Sequence, residues 1–586
     1  MRPQEPVTRA FFATKSSLTQ GPGVTGFERR LWLARIAVAA CAVFCIANWT
    51  AALAAVRDLY VVIPFMDYWR VAEYLQDILH WDFHFLWNQH NEHRIVFPDI
   101  AFALDVLWFH GRRLLPIVLN CLCYAGSWAL LVYPAAKDPR ISRIDRALIV
   151  LISGAVISWK GCALVLADPF LLSWALASFT SLAAFTFLFY SKQSHTWALA
   201  GTIGCAVIAT YSFGNGLLLW PLLLAIGILL RLTKLQIAVL FLSACTSIGL
   251  YFIGYHFGKT GNFDKLLSYP AYAAGFVETY IGMPFGMMKS PHFSMYLGIA
   301  VGCAFLALLY GAIRSRNLTT ATGVVLCGWY TFMLLSAVIA AAARMHPGDP
   351  NFTEAKPARY LLLPLLAWGA VVVWFVWTAA LRKWRIFSPP LLVALIGLLL
   401  LLANRKLQPW FDTETKPFVA AQMTELSLEN NLFDPGLIHN VFPGDAFVAR
   451  FLPQLKTANL SIYYHSPGQL LGQQLSICCS PAKTNVEGSA TRITPLISGV
   501  EVVGFAKLRG LSHVFLVNPE GTIIGIGRQL PEGLPDELSS PGIPRPFTWI
   551  AFSPDKYTSG RFSIYVSRAG EKHTTQLLQS FEFPSR

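Results

Sequence analysis

Residues 64–100 read PFMDYWRVAEYLQDILHWDFHFLWNQHNEHRIVFPDI. This polar, aromatic stretch follows the first long apolar segment and precedes a succession of others. The 586-residue chain around it is 55% hydrophobic and 13% charged, with a mean hydropathy of +0.49. Soluble domains carry about 25% charged residues, so the composition predicts a polytopic α-helical membrane protein. An outer loop crowded with Asp, Glu, His, Arg and Trp is then the place to look for chemistry.

A spanning helix needs about 20 mainly apolar residues. Eleven segments are candidates: about 31–56, 114–135, 146–166, 169–190, 195–213, 216–232, 235–257, 293–313, 318–343, 358–381 and 388–404. With the N-terminal tail 1–30 in the cytoplasm, the inner side receives Arg29, Arg30, Lys137, Arg140, Arg143, Arg146, Lys192, Arg231, Lys234, Arg314, Arg316, Arg382, Lys383 and Arg385. That alternation obeys the positive-inside rule, and an odd number of spans places everything after about 404 outside. The first apolar run is too long for a signal-peptide core and reads as a retained helix. The net charge of +14 sits in short clusters between apolar runs. No basic stripe with interleaved aromatics is present, which argues against a nucleic-acid partner. All cysteines except Cys478 and Cys479 lie in apolar segments, where a thiol behaves as a small hydrophobe.

The membrane domain is expected over 31–404, with an outer loop at 57–113. Within it, residues 95–108 form an amphipathic pattern, predicted to lie in the interface plane with Asp99 and Asp105 toward water. Tyr68, Trp69, Trp81 and Trp87 are expected in an interfacial belt. Residues 258–292 and 344–357 are further outer segments. A mixed connector follows at 405–465. Residues 466–586 carry short apolar runs (VEVVGFA, HVFLVN, GTIIGIG, FTWIAF, RFSIYVS) separated by turn residues, the pattern of an antiparallel β-sandwich.

Asp67 lies about ten residues beyond the first apolar helix. Partial desolvation there would raise its pKa, as suits a general base; the alternative is an N-cap for the next helix. Glu92, His93 and Arg94 sit in the run HNEHR. Arg94 has the fork that grips phosphate, with His93 as donor and Glu92 orienting both. A metal reading needs His84, His90, His93 and Glu92 to converge, and the order is not H-E-x-x-H; a solvated loop is the third reading. Arg359, followed by Tyr360, opposes the positive-inside bias. It serves either as a second phosphate contact or as a partner for Glu354 or Asp349. Asp168 and Asn215 occupy outer turns, where they line a cavity or serve turn chemistry alone. No cofactor is read from the residues, and a divalent metal has no motif to hold it.

An acidic residue in the first outer loop, an interface-parallel helix there, many spans and an outer soluble domain together resemble the GT-C class of membrane glycosyltransferases. In the loop, Asp67 of FMDYWR stands where that class keeps its acid, followed by Tyr68 and Trp69 rather than a second acid. The resemblance implies a polyprenyl-phosphate sugar donor in the membrane lipid and a glycan or lipid acceptor. It also implies Asp67 as base, inversion at C1, and a bacterial inner (plasma) membrane with the C-terminal domain extracytoplasmic. Two other classes stay open: a transporter or flippase of lipid-linked sugars, and a non-catalytic envelope assembly protein.

Overall fold

The computed structural model describes residues 23–192, 196–256, 263–286, 292–382, 389–478, 480–481, 486–508, 511–530, 548–557, 560–568 and 573–583. Most of the tail expected in the cytoplasm lies outside them. Helix stands at each of the eleven apolar positions. Among the described residues, seven helices are long and apolar enough to cross a membrane: Ala34–Asp58, Leu114–Ala136, Pro169–Ser191, Lys234–Tyr251, Phe293–Arg314, Ala321–Arg344 and Leu362–Leu381. The chain is an integral membrane protein on this evidence. The segment expected at 146–166 is two helices, Arg143–Ile157 and Lys160–Leu166, bent by 57° where Trp159 leaves helical geometry. Thr196–Thr210 and Gly214–Leu229 are shorter apolar helices. The last segment continues into Pro389–Glu429, a single helix of 41 residues, so the boundary expected near 404 falls inside a continuous element.

Residues 258–292 were expected as an outer segment, yet they contain the helix Pro270–Gly286, packed along Phe293–Arg314. A Cβ at Gly298 would stand 1.8 Å from the Glu278 carbonyl oxygen, so glycine is what lets the two backbones touch. The Trp368 indole N–H donates to Ile281 O at 2.9 Å, tying this helix to Leu362–Leu381.

The helix expected at 95–108 is present as Val96–Phe109, but its two aspartates do not face water: they are buried together with Ala101, Phe102 and Val106. Asp99 and Asp105 are buried, while Trp108 is 63% exposed. Intramolecular partners explain why the aspartates are buried. Asp99 pairs with buried Arg70 at 3.1 Å. Asp105 accepts the backbone N–H of Arg113 at 2.6 Å and of Leu115 at 2.9 Å. A carboxylate whose hydrogen bonds are satisfied inside can be buried.

In the outer loop, β1 (Gln89–His90) and β2 (His93–Arg94) form a small hairpin. The C-terminal strands are β3 (Ser480–Pro481), β4 (Gly488–Pro495), β5 (Gly499–Ala506), β6 (Leu511–Val517), β7 (Ile523–Gln529), β8 (Thr548–Pro554), β9 (Arg561–Arg568) and β10 (His573–Glu582). They make one sheet ordered β3-β10-β9-β6-β7-β8-β5-β4, a half-barrel rather than two packed sheets. The reason lies in β5 and β8, which are apolar on both faces. Val502, Trp549 and Ala551 join Ile564 and Val566 inside the curve. Val503, Ile550 and Phe552 pack on Val419, Met423 and Leu426 of the 41-residue helix. That helix takes the place of a second sheet.

Candidate active site

Asp67 stands in the short 3-10 helix Met66–Trp69. The two residues before it are tied to the connector: the Phe65 ring packs on Phe418 at 5.1 Å, and the Met66 N–H donates to Val441 O at 2.8 Å. Met66 has φ +48°, an uncommon backbone for a non-glycine residue. Tyr68 and Trp69 are buried and anchor the turn from below, whereas Trp81 and Trp87 are exposed. The belt expected of these four aromatics is therefore half core. So anchored, the Asp67 side chain is 57% exposed and its Oδ2 lies 3.9 Å from His90 Nε2.

The sequence led us to expect a raised Asp67 pKa. The structure reverses this. The contact with His90 holds the carboxyl below its ordinary range, the nearby guanidinium groups of Arg359 and Arg344 add to the effect, and partial burial opposes it without prevailing. Asp67 is ionised at neutral pH.

His90 belongs to the hairpin β1 (Gln89–His90) and β2 (His93–Arg94). Its ring packs on Phe170 at 4.9 Å. This carries the site to Asp168, which caps the next helix by accepting the Phe170 N–H at 3.0 Å. Burial pushes the Asp168 carboxyl up to about 6, Arg113 opposes that, and the Asp67 charge adds to it. The two carboxyls thus share one electrostatic environment with opposite shifts. Arg359 is exposed, with its guanidinium 5.3 Å from the Tyr360 ring centre. Tyr360 is buried against Trp174 and Tyr280, which fixes the mouth of the helix Leu362–Leu381.

Arg344 was not among the residues singled out from the sequence. It ends the helix Ala321–Arg344 and acts on both Asp67 and His93. A signal for it existed: like Arg359, it is a cation at the outer end of an apolar helix, against the usual bias.

The structure does not bring Arg94 into this group. Its guanidinium is buried and donates to the carbonyl oxygens of Tyr251 (2.7 Å), Trp87 and Ile253, with its face on the Trp87 ring. It staples the outer loop to the helix Lys234–Tyr251 instead of facing a phosphate. The His93 ring packs on Phe213 at 4.1 Å. Burial pushes it down to about 4, so it is neutral at pH 7 and supplies no charge to an anion. The Glu92 carbonyl accepts the hydroxyls of Tyr255 and Tyr251. Asn215 is buried in the turn Gly214–Leu218, and Gly214 lies against His93. His84 points to solvent at 97% exposure. Among the described residues no group of three or more His, Cys, Asp or Glu is placed to hold a metal ion.

An ionised, accessible carboxylate beside an imidazole, with two guanidinium groups in its field and a second carboxyl nearby, is suited to hydrogen-bond a hydroxyl while cations hold an anion. Comparison of the chain with protein-family models, with curated proteins and with solved structures finds no match in any of the three.

Proposed function

We propose that this chain is a GT-C-like membrane glycosyltransferase of eleven spans, moving a sugar from a polyprenyl-phosphate donor to an extracytoplasmic acceptor. We place it in a bacterial inner (plasma) membrane with the β domain outside. The observation that carries the reading is the gathering of Asp67, His90, Asp168, Arg344 and Arg359 from separate segments at one end of an apolar bundle.

In this reading the donor's lipid tail lies in the bilayer and its phosphate near Arg344 and Arg359, which take the role that the sequence reading gave to Arg94. Asp67 removes the proton from the acceptor hydroxyl. The oxygen attacks C1 from the face opposite the phosphate. The C1–O bond to phosphate breaks, its electron pair leaves with the polyprenyl phosphate, and the configuration inverts. Asp168, in the same field as Asp67, is the second carboxyl on the sugar's side, while the buried Asn215 and Tyr360 hold the turn and the helix mouth around it. General base catalysis contributes about 10²- to 10⁴-fold. Asp67→Asn in proteoliposomes should therefore lose transfer by at least about 100-fold with its thermal midpoint unchanged. Undiminished transfer by that variant refutes the proposal.

One observation favours transport instead. The 57° break between Arg143–Ile157 and Lys160–Leu166 places Lys160 over the Phe411 ring at 4.3 Å, and broken helices with polar residues are a transporter device. Counter-flow of labelled lipid-sugar without product would support that reading.

A further inference from the structure

Arg113 is 0% exposed, in the turn between the helices Val96–Phe109 and Leu114–Ala136. Like Arg344, it stands at the Asp67 end of a long apolar helix. Unlike Arg344 and Arg359, it has no contact with water, and taking a guanidinium out of water is costly. Its backbone is left-handed, with φ +65°, and is held by Asp105, which accepts its N–H at 2.6 Å.

The guanidinium grips the chain that leads to Asp67. Its Nη1 donates to the carbonyl oxygens of Val61 at 2.8 Å and Ile63 at 3.0 Å. It also lies 5.9 Å from the Phe65 ring centre and 5.7 Å from that of Tyr68, the two residues that flank Met66 and Asp67. The N–H groups of the same segment go elsewhere: Glu425 accepts those of Val62 and Ile63 at 2.6 and 3.4 Å. The chain before Asp67 is thus held by a cation through its carbonyls and by a carboxylate through its amides.

Holding that backbone does not use the whole group. Nε and Nη2 have no hydrogen-bond partner among the described residues. The groups in the field of Arg113 are Asp168 foremost, then Tyr68, Tyr60 and Glu425, together with Asp105. Asp168 in turn faces Arg113, the Phe170 N–H and Asp67. Burial and the Asp67 charge favour the neutral form of Asp168, and Arg113 is the cation that opposes them. A buried cation with two unmet donor nitrogens adds little to stability. What distinguishes this one is its reach to both carboxyls of the outer site, to Asp67 through the backbone and to Asp168 through space.

We propose that Arg113 is the positioning residue of the outer site, holding the backbone that presents Asp67 and facing Asp168 with a positive charge. The inference rests on the reading of Asp67 and Asp168 as the two carboxyls of sugar transfer. It is tested in the full chain with Arg113→Gln, which removes the charge, and Arg113→Lys, which keeps the charge but not the fork. Hydrogen exchange at residues 62–66 should quicken about ten-fold in either variant, the worth of one lost charge-assisted bond. The stability of wild type relative to Asp168→Asn, followed by thermal unfolding, should fall as pH rises through about 6. That fall should extend about one pH unit higher in the Arg113→Gln background and stay in place with Arg113→Lys. In proteoliposomes the acid limb of sugar transfer should move with it in Arg113→Gln and return toward wild type in Arg113→Lys. A merely structural Arg113 would quicken exchange without moving either pH dependence, and that result overturns the proposal, as does unchanged exchange at 62–66 in both variants. Should Arg113→Gln not fold, Arg113→Lys decides: quickening confined to 62–66 supports the proposal and unchanged exchange overturns it. A wild type without sugar transfer would remove the glycosyltransferase reading, while exchange and unfolding still decide whether Arg113 holds the two carboxyls.

Discussion

Glu425→Gln should loosen the loop that carries Asp67. Glu425 is 4% exposed on the helix Pro389–Glu429. Its Oε2 accepts the Val62 N–H at 2.6 Å, and its Oε1 accepts Arg528 Nη1 of β7 at 3.2 Å. One carboxylate thus ties the β domain to a residue five positions before Asp67. Hydrogen bonds to a charged group contribute about 1.5–3 kcal/mol against about 0.5–1.5 for neutral pairs. Gln also turns its NH₂ toward either the Val62 N–H or Arg528, donor against donor. The Arg528 side chain is 31% exposed, so water compensates part of its loss. The net penalty is about 2 kcal/mol, or about a 30-fold larger opening constant. Hydrogen exchange of residues 62–66 in the full chain reads this directly. We expect about 30-fold faster exchange there and no change in the helix Phe293–Arg314. Unchanged exchange at 62–66, or acceleration spread evenly over the chain, would refute the bracing argument.

Arg70→Met leaves Asp99 buried without its partner and should destabilise the fold by about 3–5 kcal/mol, with Arg70→Met/Asp99→Leu recovering most of it in thermal unfolding. Burial raises Asp99 to about 6 even against Arg70, so the folded chain holds that proton more tightly than the unfolded one. Its contribution is complete below about pH 4 and is lost as pH rises through about 6. The stability of wild type relative to Asp99→Asn should accordingly fall by about 2–3 kcal/mol over that interval, and a rise would contradict the assignment. Arg344→Ala and Arg359→Ala should each lower sugar transfer about 10- to 100-fold, the worth of one charge-assisted contact, at unchanged thermal midpoint. Arg94→Ala should instead lower the midpoint, because it orphans three backbone carbonyls.

Much of the architecture was readable before any coordinates. The length of an apolar run is a local property, and helix stands at all eleven expected positions. Short apolar runs between turn residues located β5 to β9 in the same way, although the strands at 488–495 and 573–582 escaped notice because their apolar residues are sparse. Asp67 stands out in the sequence because a carboxylate beside a first apolar helix is conspicuous. Arg344 was missed because it sits at the very end of a helix, where it reads as a boundary residue.

The sequence by itself determined that the chain is an apolar helical bundle with a strand-rich tail and a polar outer loop, since hydropathy, periodicity and turn residues act over a few positions. Tertiary structure alone decided which polar groups meet. It turned Asp99 and Asp105 inward onto Arg70 and backbone amides, consumed Arg94 on three carbonyls, lowered rather than raised the Asp67 pKa, and set a helix where a second sheet was expected. A residue's chemistry is written in its side chain, but the partner that neutralises, buries or exposes it comes from another segment, often a hundred residues away, and no local pattern encodes that pairing.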